Sequence, residues 1–177
     1  MSNINDSYFD GYYKEIWRSI IPPALTVKET EFMMQYFALE PGSRVLDLMC
    51  GYGRHAIALA EKGIEVTAID NLADYINEIN NVAQKEKLPL RATQQNIIDF
   101  QVDGLFDLAL CMGNSLNFFN ATDTVSLLKG VAGNLTVKVQ LLINTWSLAE
   151  IAIKLFAPSS WSTIDGFKYL NTSEYLF

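Results

Sequence analysis

The residues with the clearest chemical meaning form one short stretch, VLDLMCGYGRHAI, at positions 45–57. An apolar strand pattern runs into a turn that contains Gly51 and Gly53, and this turn runs directly into a helix pattern. Glycines let the backbone turn tightly and approach a ligand closely, because they carry no Cβ. A strand, a glycine turn and a helix N-terminus therefore predict a docking site for a cofactor that carries a nucleoside.

Two carboxylates near this turn indicate which cofactor it binds. Asp70 follows Gly51 by 19 residues, a spacing typical of a carboxylate that binds ribose hydroxyls, although an aspartate there can also cap a helix. Residues 51–56 also match the dinucleotide pattern G-x-G-x-x-A, but Asp47 would repel a pyrophosphate in a partly desolvated turn. Asp47 would instead attract the ammonium group of S-adenosylmethionine, which also has a ribose for Asp70.

Strand and helix patterns alternate through the middle of the chain. Strands are predicted at residues 44–48, 65–69, 90–93, 106–112 and 137–144. Helices are predicted at residues 54–62 and 72–85, and at a stripe formed by Val125, Leu128, Ala132 and Leu135. This alternation predicts an α/β fold: a doubly wound, mainly parallel, Rossmann-like sheet in the order 3-2-1-4-5, with helices on both faces.

Polar residues follow the predicted strands at the edge where such a sheet binds its ligands, beyond the carboxyl ends of the strands. Strand one is followed by the glycine turn, strand two by Asp70, and strand three by Gln95 and Asn96. Strand four leads into residues 111–115, CMGNS. This convergence over four strands supports a shared site more strongly than the two glycines alone.

The segments on either side of this pattern divide the chain into three parts. Residues 1–40 comprise an aromatic-rich segment, predicted to pack over the rest of the domain, and a helix opened by a capping box of Thr26 and Glu29. Residues 41–157 form the predicted cofactor-binding core. Residues 158–177 are predicted to begin a C-terminal or inserted antiparallel segment.

The bulk composition excludes several classes of protein. The 177 residues carry a net charge of −7 and show no cluster of Lys and Arg, which disfavours a nucleic-acid partner. The N-terminus lacks a signal-peptide pattern and no apolar run is long enough to span a bilayer, so we expect a cytoplasmic protein without a membrane partner. Two cysteines and one histidine are too few for a standard zinc site, so no metal is predicted.

Residues 45–146 resemble class I S-adenosylmethionine-dependent methyltransferases, most of all the small-molecule type whose first motif reads D-L-x-C-G-x-G-R-H. The resemblance implies that the aspartate and glycines of this motif hold the methionine end of the cofactor and that Asp70 binds the ribose hydroxyls. It also implies that Asn71 and Leu72 flank the adenine, with Asn96 accepting from the adenine amino group. The predicted cofactor-binding residues are Asp47, Cys50, Gly51, Gly53, Asp70, Asn71, Leu72, Asn96, Ile97, Cys111 and Met112.

Three departures distinguish the chain from this family pattern. Met49 occupies a position that is usually glycine, which narrows the first turn. Residues 136–138 replace the Pro-Gly-Gly turn that commonly precedes strand five. The chain ends at Phe177, before the antiparallel strands six and seven that normally finish the sheet. We therefore expect a fragment in which strands six and seven are missing and the acceptor half is incomplete.

The resemblance implies methyl transfer from S-adenosylmethionine to a small-molecule acceptor, by a displacement that needs no catalytic triad. Neither a catalytic residue nor an oligomeric state is predicted. His55 is either a general base or a local contact of its helix, and Arg54 either meets the cofactor carboxylate or lies in solvent. The residues predicted either to wall the acceptor site or to pack in the core are Tyr12, Trp17, Phe118, Phe119, Trp146 and Trp161.

Two other functions stay open on the same fold. One is an NAD(P)-dependent oxidoreductase, which Asp47 disfavours because of its position beside the glycine turn. The other is a cofactor-binding module without activity.

Overall fold

Five parallel strands form the central sheet of the computed structural model, which describes residues 8–144 and 159–172. The strands are β1 (Arg44–Leu48), β2 (Glu65–Asp70), β3 (Leu90–Gln94), β4 (Phe106–Cys111) and β5 (Leu135–Ile143). Their order across the sheet is β3-β2-β1-β4-β5, and every neighbouring pair is parallel. The predicted sheet order is confirmed.

Helices cover both faces of this sheet. They are α1 (Tyr13–Ile20), α2 (Pro23–Tyr36), α3 (Arg54–Ala60), α4 (Ala73–Glu86) and α5 (Ala121–Gly133), with a short 3₁₀ helix at Ser115–Phe118. On one face, α2, α3 and α4 contribute Met33, Leu59 and Ile79 to an apolar core. On the other face, α5 packs Leu127 and Val131 against the sheet. Since both faces are covered, most residues of β1 and β4 are buried and apolar, as in other parallel sheets.

The buried face of α5 differs from the predicted stripe. Leu127 and Val131, one turn apart, are buried, whereas Val125 is 50% exposed and Leu128 is 36% exposed. Leu135 belongs to β5 and not to the helix. The prediction of this stripe was wrong, because apolar spacing alone cannot show which of two overlapping helix faces packs on the sheet.

Helix α2 begins three residues before the predicted capping box. Pro23 takes the first helical position, where its fixed φ and missing N–H are tolerated. Thr26 and Glu29 therefore lie inside the helix, and the capping-box prediction was wrong. The Glu29 carboxylate contacts α3 instead.

Two antiparallel strands, β6 (Ser159–Ile164) and β7 (Phe167–Thr172), form a second sheet. The prediction that antiparallel strands six and seven are missing was therefore wrong. Asp165 and Gly166 make the turn, both with positive φ, which matches the Asp-Gly signal for a two-residue hairpin. Within the described residues this hairpin does not extend the five-stranded sheet. The three-part division of the chain stays a prediction.

The part of the chain that the structure describes also limits two classes of feature. No helix in residues 8–144 and 159–172 combines the length and apolar character that a bilayer crossing requires. The same residues contain no cluster of three or more His, Cys, Asp or Glu side chains arranged to hold a metal ion. Trp146 lies outside the described residues.

Candidate functional site

A cavity of about 860 Å³ lies at the carboxyl ends of the central strands. Eight of the eleven predicted cofactor residues line it, namely Asp47, Cys50, Gly51, Asp70, Asn71, Asn96, Ile97 and Met112. The other three, Gly53, Leu72 and Cys111, do not line it. The sheet thus brings together residues that follow four different strands.

The two glycines of the turn have different surroundings. A Cβ on Gly51 would meet no atom within 4 Å, whereas a Cβ on Gly53 would lie 2.6 Å from Cγ1 of Ile79 on α4. Gly51 therefore keeps the cavity wall open, and Gly53 lets α3 pack closely against α4. Met49 lines the cavity with a left-handed φ of 55°, a conformation that costs a non-glycine residue about 1–2 kcal/mol.

Asp70 ties the turn to the start of α4. One carboxylate oxygen accepts from the Gly51 N–H at 2.9 Å and the other from the Leu72 N–H at 3.0 Å. The side chain is buried, and burial raises its pKa above the ordinary value for aspartate. Leu72 is the N-cap residue of α4, so Asp70 supports the helix start from two residues upstream.

Asp47 carries the most unusual oxygen atom of the site. The residue is 2% exposed, and its Oδ2 has no hydrogen-bond partner among the described residues. Burial, and then the nearby charge of Asp70, raise the pKa of Asp47 to about 7. Arg54 and a backbone hydrogen bond from Ala56 act in the opposite direction. A buried carboxylate with an open acceptor position is suited to a cationic ligand group.

A charged cluster that the sequence did not predict joins α2 to α3 beside the cavity. The Glu29 carboxylate accepts from Arg54 Nη1 and, at 2.9 Å, from His55 Nε2. Arg54 Nη1 also donates to Thr26 Oγ1 at 3.0 Å. Glu29, Arg54 and His55 all line the cavity. Because 25 residues separate Glu29 from Arg54, no local sequence pattern connects them.

The protonation states within this cluster follow from burial and pairing. The His55 hydrogen bond, followed by Arg54, holds the pKa of Glu29 at about 2 despite partial burial. Burial lowers the pKa of His55, and the Glu29 carboxylate only partly offsets this effect. Burial therefore favours the neutral form of His55, in which the Nε2 hydrogen is donated to Glu29. Arg54 does not lie in solvent, because its side chain is 16% exposed.

The N-terminal aromatic segment covers the cavity. Phe9, Tyr13 and Trp17 line it, and the Tyr75 hydroxyl of α4 donates to the Phe9 carbonyl oxygen. Its polar side contacts α4 through ion pairs of Lys14 and Arg18 with Glu78, at 3.0 and 2.6 Å. The Arg18 guanidinium also lies 4.8 Å from the ring centre of Tyr52 in the glycine turn. The structure confirms that this segment packs over the domain.

The predicted acceptor-wall aromatics divide into two groups. Trp17, Phe118 and Phe119 line the cavity. Tyr12 and Trp161 do not line it: the Tyr12 ring lies 4.7 Å from the Phe167 ring of β7 in a tilted arrangement, and Trp161 is 73% exposed. These two residues neither line the cavity nor pack in the core, because composition does not show which face of a segment meets the rest of the protein.

Comparison with known proteins agrees with this geometry. A family model described as a methyltransferase domain matches residues 45–137, which is more than half of the chain. The chain belongs to the class I S-adenosylmethionine-dependent methyltransferases. The choice of S-adenosylmethionine over a pyrophosphate cofactor, made from Asp47, is confirmed at the level of this family.

Individual curated relatives match the chain over only part of their own length. The chain is 30% identical over 100 residues to the S-adenosyl-L-methionine-dependent Diels-Alderase iliD of Neonectria sp. (strain DH2), covering 55% of this chain and 41% of that protein. It is 28% identical over 122 residues to the glycine/sarcosine N-methyltransferase of Halorhodospira halochloris, covering 67% of this chain and 45% of that protein. The chain thus spans less than half the length of these two curated relatives.

A solved structure shares the fold. An S-adenosylmethionine-dependent methyltransferase from Clostridium acetobutylicum matches with a TM-score of 0.76 at 20% identity. The match covers 93% of this chain and 67% of that chain. At this level of identity the likeness shows the architecture alone.

Proposed function

We propose that the chain binds S-adenosylmethionine in the cavity and transfers its methyl group to a small-molecule acceptor. The observation that carries this proposal is the buried Oδ2 of Asp47, which lacks a hydrogen-bond partner among the described residues. Leaving such a group unpaired is costly, so a ligand that supplies a cation and hydrogen-bond donors gains affinity there. The ammonium group of the cofactor is such a donor, and a pyrophosphate is not.

Other predicted residues fit the nucleoside end of the cofactor. The Asp70 carboxylate accepts from the Gly51 and Leu72 backbone N–H groups, and in this proposal its remaining acceptor capacity serves a ribose hydroxyl. Asn96 Oδ1 accepts from the Ile98 N–H at 3.0 Å and keeps an acceptor position for the adenine amino group. In this proposal Asn71 and Leu72 flank the adenine.

The remaining predicted residues shape the cavity around the ligand. Gly51 leaves room at the turn, and Cys50, Ile97 and Met112 give apolar walls. Gly53 and Cys111 do not line the cavity, and in this proposal they act indirectly. Gly53 allows the close packing of α3 against α4, and buried Cys111 supports the end of β4.

The bound cofactor supplies an electrophilic methyl group on a sulfur that is already cationic. The chain therefore has two tasks, which are to align the two ligands and to exclude water. The Asp47 and Asp70 carboxylates align the cofactor. The aromatic N-terminal segment excludes water, because Phe9, Tyr13 and Trp17 line the cavity. We assign no catalytic acid or base.

Titration calorimetry with S-adenosylhomocysteine and with NADH, in parallel, tests the proposal. We expect S-adenosylhomocysteine to bind and NADH not to bind. The Asp47→Asn substitution should weaken binding of S-adenosylhomocysteine by about 1–3 kcal/mol, the scale for losing a charged hydrogen-bond partner. Asp107→Asn is the matched control, since Asp107 lies exposed at the amino end of β4 and bonds the Arg44 N–H. Binding of NADH alone would contradict the proposal and favour an oxidoreductase.

Methyl transfer itself needs a separate measurement. We expect the chain to transfer labelled methyl groups from S-adenosylmethionine to a component of a small-molecule panel. Tight cofactor binding with no transfer to any component would favour the binding module. It would also favour a reaction without methyl transfer, as the name of the Neonectria relative indicates for that protein.

A further inference from the structure

The cavity continues past the residues assigned to the cofactor. Its volume of about 860 Å³ lies in the upper part of the range for small-molecule sites, roughly 300–1,000 Å³. The additional lining comes from the end of the 3₁₀ helix and the start of α5, and comprises Phe118, Phe119, Asn120 and Asp123. We call these four residues the 118–123 wall.

Aromatic rings dominate the surroundings of the 118–123 wall. Phe118 lies 5.2 Å from the ring of Phe9, and Tyr13 lies 5.6 Å from the ring of Trp17. All four of these side chains line the cavity. Such faces favour a flat apolar ligand body, and their negative π-faces attract a cation.

The cations that line the cavity are already engaged. Arg54 is the single Lys or Arg among the described lining residues, and its Nη1 is held by Glu29 and Thr26. Burial lowers the pKa of His55, which favours its neutral form. Among the described lining residues, an acidic ligand could therefore meet a Lys or Arg side chain only at the N–H groups of Arg54 other than those on Nη1.

Two further carboxylates line the cavity, have no role assigned toward the cofactor, and form no ion pair among the described residues. Asp99 and Asp123 both line the cavity, and no described Lys, Arg or His forms an ion pair with either one. Two hydrogen bonds hold Asp123 against Asn120. Oδ2 of Asp123 accepts from the Asn120 side-chain amide at 2.8 Å, and the backbone N–H of Asp123 donates to Asn120 Oδ1. A carboxylate held by Asn120 thus lines the same cavity as Phe118 and Phe119.

We propose that the 118–123 wall binds the methyl acceptor, and that this acceptor is an arylalkylamine: a molecule with a flat aromatic body, an ammonium group and no acidic group. The inference rests on the proposed methyltransferase function and names its substrate class. The ring body packs on Phe118 and Phe119, and the ammonium group is attracted by Asp123 and the aromatic faces. An acidic analogue of the same shape is repelled by the same carboxylate.

A matched pair of probes tests the charge requirement. Tryptamine and 3-indolepropionate share the indole ring and a two-carbon linker, and they end in an ammonium and a carboxylate group. With the chain saturated by S-adenosylhomocysteine, we expect calorimetry to give at least about tenfold tighter binding of tryptamine, from attraction and repulsion at one carboxylate. Equal binding, tighter binding of 3-indolepropionate, or no binding of either would overturn the proposal.

A matched pair of variants tests the location. Asp123→Asn should weaken tryptamine binding by about fivefold, the scale of one partly screened ion pair. It should leave S-adenosylhomocysteine binding unchanged. Asp74→Asn removes an exposed carboxylate from the first turn of α4, outside the cavity lining, and should change neither affinity. Unchanged tryptamine binding in a folded Asp123→Asn variant, judged by circular dichroism, would contradict the assignment to this wall.

The two proposals fail in different ways. If S-adenosylhomocysteine does not bind the wild-type chain, the proposed function is contradicted. Tryptamine and 3-indolepropionate are also titrated in the absence of S-adenosylhomocysteine. If tryptamine does not bind more tightly than 3-indolepropionate, either with or without S-adenosylhomocysteine, the proposed acceptor class is refuted, whether or not S-adenosylhomocysteine itself binds.

Discussion

At the scale of single residues, the site depends on three carboxylates that line the cavity, namely Asp47, Asp70 and Glu29. Asp47 was predictable, because it lies near the end of a buried strand, four residues before Gly51 of the glycine turn. Asp70 was predictable from its spacing, since neighbouring parallel strands deliver their ends to the same edge. Glu29 was not predictable, because its partners Arg54 and His55 come from another helix and meet it only in the folded chain.

Burial of Asp47 predicts a specific dependence of stability on pH. Its pKa is raised from 3.8 to about 7 in the folded chain, so the folded state binds the proton more tightly than the unfolded state. Asp47 therefore contributes a free energy of unfolding that decreases as pH rises from about 4 to 7. Replacing Asp47 with Asn removes both the buried charge and this decrease in the free energy of unfolding with rising pH.

Thermal melts of wild type and Asp47→Asn from pH 4 to pH 8, without ligand, check this prediction. We expect the difference in melting temperature to shift in favour of the variant between about pH 4 and 7 and to stay constant above. The comparison isolates Asp47, because Asp70, Arg54 and Cys50 are the same in both proteins. A difference that does not vary with pH would contradict the raised pKa.

At the scale of elements, the N-terminal segment is the part whose position matters most for the site. Its aromatic composition predicted that it packs over the domain, which is confirmed. What it packs on was not predictable, because the partners are Glu78 on α4, Tyr52 in the glycine turn and Phe118 beyond β4. Lys14 and Arg18, one helical turn apart on α1, share the Glu78 carboxylate.

Loss of this shared carboxylate should speed ligand release. Glu78→Gln removes both ion pairs of α1, each worth about 0.2–1 kcal/mol when partly exposed. We expect the dissociation rate of S-adenosylhomocysteine, followed by stopped-flow fluorescence, to rise by about two- to fivefold, and added salt to have less effect than on wild type.

Glu86→Gln is the control for this experiment. It removes the exposed pair between Lys85 and Glu86 at the other end of α4, and the release rate should stay at the wild-type value. If the Glu78→Gln variant released S-adenosylhomocysteine at the wild-type rate, the ion pairs would not be what holds α1 over the ligand.

At the scale of the whole molecule, the sheet was more predictable than its surroundings. Alternating elements and right-handed crossovers leave few orders for five parallel strands, and the order 3-2-1-4-5 is confirmed. An antiparallel segment was predicted for residues 158–177, but strands six and seven were expected to be missing, although Asp165-Gly166 carries a recognisable turn signal for the hairpin β6–β7. Helix α5 was found, but its buried face depends on packing that spacing alone does not fix.

The central claim is that the open oxygen of buried Asp47 receives the cofactor's ammonium group. At pH 7 part of the Asp47 side chains in the free chain hold a proton, since burial raises their pKa to about 7. An ammonium group placed there favours the ionised form and displaces that proton.

Titration calorimetry of S-adenosylhomocysteine at pH 7, in buffers of different ionisation enthalpy, measures this displacement directly. We predict release of a measurable fraction of a proton per ligand bound by wild type, and none from this source in Asp47→Asn. Binding without proton release in wild type, or equal release by the two proteins, would contradict the account.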